Sequence, residues 1–128
     1  MPKVATSGFT NVLRDVNDTD FTWSAGDTGA KILALTAPRD FFLPGPTTDT
    51  ENPNANNPSD GDFYDLLDPL GLLSGNNVTV HGGGYNIQGG ATVLIGESFV
   101  HIRFTFCSTP GIAPGGAWTL GFCSCGGG

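Results

Sequence analysis

Two stretches near the C-terminus restrict the fold more than any others. From Phe99 to Cys107, the residues Val100, Ile102, Phe104 and Phe106 recur at every second position, and from Ala117 to Cys123 the residues Trp118, Leu120 and Phe122 do the same. A strand turns successive side chains to opposite faces, so each stretch reads as a strand with one apolar face. Setting Phe106 opposite Trp118 places Phe104 opposite Leu120 and Ile102 opposite Phe122, so every large residue falls on one side. A slip of one residue would bury His101 and Arg103 instead, which specifies the register. Ser108 to Gly116, rich in Gly and Pro, is then the connecting loop.

Shorter versions of the same rhythm occupy the rest of the chain. Phe21-Thr22-Trp23, Lys31–Leu35, Asp40–Leu43, Phe63–Leu67, Asn77–His81, Tyr85–Gln88 and Ala91–Ile95 read as strands, separated by Gly, Pro, Asn, Asp and Ser. One segment, Asn11–Val16, could begin a helix but is too short to stand alone. Pro44 to Gly61 carries almost nothing apolar and reads as a surface excursion. Gly82-Gly83-Gly84 reads as a flexible turn. The fold expected is all-β, a compact antiparallel β-sandwich or barrel preceded by an extended N-terminal arm.

Composition adds a constraint on assembly. Hydrophobic residues make up 38% of the 128, with 20 Gly and 9 Pro, so the core available to one chain is thin. A face as apolar as Phe104, Phe106 and Trp118 is therefore expected to be shared between subunits. The formal net charge of −7 argues against nucleic acid and anionic membranes, which are held by excess Lys and Arg. Lys3 and Arg14 precede all twelve acids, which lie between Asp15 and Glu97, so a mildly basic arm leads into an acidic body. No stretch has the roughly 20 apolar residues of a membrane span, and Met1 to Gly8 lacks the apolar core of a signal peptide. Synthesis in a cytoplasm is expected.

The residues that could carry chemistry are few. No nucleophile elbow, phosphate loop or His-Glu-x-x-His pattern occurs. His81 and His101 both stand in strands, with no partner evident in sequence for general-base work. The Gly82–Gly84 run does not open a helix, so it lacks the aligned amides that would hold phosphate. Cys123 and Cys125 could form half a metal site, but Cys107 lies roughly six residues up its strand from His101, about 20 Å away. Asp49, Glu51, Asp60, Asp62, Asp65 and Asp68 do not follow the spacing of a calcium loop. No catalytic residue, metal site or cofactor is expected.

The order of segments carries a resemblance. Phe21-Thr22-Trp23 leads through Lys31–Leu35 to Phe41-Phe42-Leu43-Pro44. Gly61-Asp62-Phe63-Tyr64-Asp65-Leu66-Leu67-Asp68 follows, then Asn76-Asn77-Val78-Thr79-Val80-His81-Gly82, Tyr85-Asn86-Ile87-Gln88-Gly89 and a closing hairpin ending in Trp118-Thr119-Leu120. Over roughly residues 20 to 122 this resembles the small β-modules of tailed-bacteriophage capsid decoration (cement), head-fibre and tail-fibre proteins. The long Pro44–Gly61 and Ser108–Gly116 loops and the Cys-rich tail depart from that pattern.

The resemblance implies a homotrimer on the virion surface that binds the major capsid protein or other virion subunits and stabilises the assembled head. The alternative it implies is a tail-fibre or receptor-binding module contacting host glycans or proteins. Residues 1–18 would be the anchoring arm, 19–123 the β-module and 124–128 a flexible tail. Lys3, Val4, Phe9, Val12, Leu13 and Arg14 would anchor the arm. Val93, Ile95, Val100, Ile102, Phe104, Phe106, Trp118, Leu120 and Phe122 would form the core and trimer packing.

Trp118 sits in the most apolar patch, so Trp118→Ala should cost about 3–5 kcal/mol. Replacing Cys123 and Cys125 together by Ser should cost little. Denaturant unfolding of both variants under reducing conditions checks this, and a more damaging Cys pair would favour a metal site.

Overall fold

The computed structural model describes residues 12–24, 28–45 and 57–122. Ten strands run in order: β1 Leu13–Asn17, β2 Phe21–Thr22, β3 Gly29–Ala34, β4 Arg39–Phe42, β5 Phe63–Leu67, β6 Val78–His81, β7 Asn86–Ile87, β8 Thr92–Ile95, β9 His101–Ser108 and β10 Gly116–Phe122. No helix occurs among the described residues, and the fold is all-β. The segment that could have begun a helix is instead β1, an edge strand paired with β3.

The strands form two sheets, one in the order β1-β3-β5-β9-β10-β7 and the other β2-β4-β6-β8. Up to β9 the chain changes sheet at every step. Two crossings return it to its first sheet travelling in its original direction, so same-sheet neighbours β1–β3, β3–β5, β2–β4 and β4–β6 are parallel. Strand β7 is also parallel to β10, whereas β5–β9, β9–β10 and β6–β8 are antiparallel. The sheets are therefore mixed, which corrects the expected antiparallel sandwich. Parallel strands need a long crossover, and here the strand in the opposite sheet supplies it.

The closing hairpin has the expected register, with Phe106 opposite Trp118, Phe104 opposite Leu120, Ile102 opposite Phe122 and Cys107 opposite Ala117. Ile95, Ile102, Phe104, Phe106 and Trp118 are buried, and Val93, Val100 and Leu120 pack partly buried against them. Phe122 departs from this set at 64% exposed. The reason lies in β7, which pairs only with Ala117 and Trp118 and leaves the far end of β10 overhanging. At the near end Gly116 is required, because a Cβ there would run into the Phe106 ring.

Sheet-to-sheet packing supplies what was expected of neighbouring subunits. Trp23, wholly buried, meets Phe41 at 5.6 Å and Phe104 at 5.9 Å between ring centroids. The seam continues from Tyr64 to Trp118 at 5.9 Å and from Trp118 to Phe106 at 5.2 Å. The face of Phe104, Phe106 and Trp118 is thus covered within one chain and does not itself call for a trimer. The glycine run is no loose linker either. Gly82 and Gly83 are buried, and the Gly82 carbonyl accepts the Trp118 Nε1–H at 3.1 Å.

The arm divides. Lys3, Val4 and Phe9 lie outside the described residues, as do most of Pro44–Gly61, Cys123 and Cys125. Val12 is tied to Thr28, whose hydroxyl accepts from Val12 N at 2.6 Å and donates to Val12 O at 2.7 Å. Leu13 and Arg14 are exposed on β1, while Val16 is 1% exposed in the core. From Val12 onward the segment belongs to the sandwich, so residues up to 16 cannot be removed as a separate arm.

Deleting residues 2–11 should leave the fold intact. Extending the cut to residue 16 removes Val16 and most of β1, and should cost at least about 2 kcal/mol from the lost burial. Thermal unfolding of the two truncations checks the difference.

Candidate docking surface

The polar side chains of the sandwich are engaged chiefly in holding strands and turns. Asp65 on β5 stands directly opposite Arg103 on β9 and accepts from it in a two-point contact, Nε to Oδ1 at 2.8 Å and Nη2 to Oδ2 at 3.0 Å. Such paired bonds are among the stronger polar contacts a protein makes. Arg103 also lies 4.0 Å over the Phe63 ring. His101 Nε2 stands 3.3 Å from Asp65 Oδ2, and His81 Nε2 stands 3.0 Å from Asp40 Oδ1. Both histidines thus have carboxylate partners that the sequence did not reveal. His81 stacks on Phe42 with ring centroids 4.7 Å apart. Cys107 faces Ala117, far up β9 from His101.

Of the acids considered as calcium ligands, Asp65 is taken by Arg103 and the other described ones by backbone amides. Asp60 accepts from Ser108 N at 2.8 Å and Asp62 from Ser59 N at 2.8 Å. Asp49 and Glu51 lie outside the described residues. Among the described residues, no three His, Cys, Asp or Glu side chains gather as a metal site would require. Tyr64 and Tyr85, the polar-tipped aromatics that could stack on sugars, are 5% and 9% exposed and so belong to the core.

One surface feature is built differently. Asp68, just past β5, is 1% exposed. Its Oδ1 accepts from Leu72 N at 2.9 Å, and its Oδ2 accepts from Leu73 N at 3.0 Å and Phe99 N at 3.2 Å. Ser98 Oγ donates to Gly71 O at 2.9 Å and accepts from Ser74 N at 2.9 Å. These bonds lock the loop after β5 to the turn before β9.

Phe99 is held there at φ 61°, a left-handed conformation that costs a bulky residue about 1–2 kcal/mol. Its ring lies against Gly71, where a Cβ would collide with it, and yet the residue is 74% exposed. Leu70, beside Gly71 in the same locked loop, is 56% exposed. The arrangement therefore spends hydrogen bonds and backbone strain on presenting apolar surface to solvent.

In the sequence Asp68 is one acid among several that lack calcium-loop spacing, and it stands just ahead of Pro69-Leu70-Gly71. The available signal was an acid before Pro-Leu-Gly, but the other half of the lock, the turn at Ser98-Phe99, is distant in the chain. Of the expected anchors, Leu13 is 48% exposed on the edge strand. No protein-family model and no curated protein matches this chain.

Asp68→Ala would leave three amide donors without their acceptor. An unmade buried bond costs about 1–3 kcal/mol, so the variant should lose about 2–4 kcal/mol in denaturant unfolding, with Leu72 to Ser74 gaining hydrogen exchange first.

Proposed function

We propose that this chain is a structural module of a tailed-bacteriophage virion, without catalytic activity, that docks on the surface of the assembled particle. The carrying observation is the Leu70–Phe99 tip: a strained aromatic, tied down on both sides and left exposed. Backbone strain retained at one surface position suggests a contact that repays it, and exposed apolar groups on a rigid support suit a protein interface. The resemblance in segment order and the all-β fold support the virion reading. The engagement of Asp65, His101 and Arg103 with one another supports a holding role for these groups over a catalytic one.

A module that binds the assembled shell and not its separated subunits stabilises the shell by mass action. In this reading the Leu70–Phe99 tip meets a virion subunit such as the major capsid protein. Lys3, Val4, Phe9, Val12, Leu13 and Arg14 are the second set of contacts in this reading, of which Leu13 and Arg14 are exposed on the edge strand β1. Burial of Tyr64 and Tyr85 weighs against glycan reading by a receptor-binding module.

The test uses particles from the genome that carries this sequence, with its gene deleted. The purified chain should co-sediment with them. Phe99→Gly relieves the left-handed strain, so it should fold at least as stably, yet bind particles about tenfold or more weakly, as loss of an interface anchor would. Binding to host cells without binding to particles, or particle binding untouched by Phe99→Gly, would overturn the reading.

A further inference from the structure

We draw no further inference here: the strongest candidate, the edge of β10 from Leu120 to Phe122, which β7 does not reach and where Phe122 is 64% exposed, carries nothing because among the described residues nothing shows what covers it.

Discussion

The ring of Trp23 touches both sheets: Phe21 at 5.4 Å and Phe41 at 5.6 Å on one side, Tyr64 at 6.5 Å and Phe104 at 5.9 Å on the other. Its amide donates to Phe42 O at 3.0 Å, so the β2–β4 pairing sets where the ring points. From Tyr64 the chain of rings passes to Trp118, Phe106 and Tyr85. A sequence only 38% hydrophobic can close a two-sheet core this way because a few rings bury much area each. Edge-to-face pairs add about 0.5–1.5 kcal/mol apiece beyond that burial. Strands as short as β2 and β7 keep their places because Trp23 and Ile87, at their ends, are anchored in this seam.

Strand positions were legible in the sequence and strand partners mostly were not. Alternation of apolar side chains tells which face is buried, and it placed β5, β6, β9 and β10 within a residue or two. It says nothing about whether a neighbour runs parallel or antiparallel. The closing hairpin could be paired because both strands are long and each carries several large residues, so only one register satisfied them all. Strands β1 to β6 contribute at most three buried positions each, and many pairings satisfy so few constraints. Trp23 illustrates the gap. It reads as the last residue of a minor strand, and nothing nearby in the chain shows that it faces Phe104, some eighty positions later.

The docking tip was illegible for a related reason. Asp68 and Phe99 look like a loop acid and a strand residue, and their roles arise from a bond between them. Phe99 appeared to open the last hairpin, and Val100 after it does turn inward as expected. The left-handed backbone that throws Phe99 outward depends on the Asp68 carboxylate holding its amide. A contact between residues thirty-one apart leaves no local trace in spacing or composition.

The acidic composition acquires a different meaning once the carboxylates are placed. Asp15 meets Lys31, Asp20 accepts from Asp40 N, and Asp60, Asp62 and Asp68 each take backbone amides at turns. Asp18 shows how strong such a tie becomes. It accepts from the Thr36 hydroxyl at 2.6 Å, from Thr36 N at 2.8 Å and from Arg39 Nη2 at 2.9 Å. Those donors, the Thr36 hydroxyl foremost, lower its pKa from 3.8 to about 2. Its contribution is therefore complete above the ordinary carboxylate range and is lost only as pH falls through about 2. A chain with short strands, long loops and few helix formers leaves many amides unpaired at its turns. Ionised carboxylates are strong acceptors for them, so the excess of Asp over Lys and Arg follows from the architecture as well as from any choice of partner.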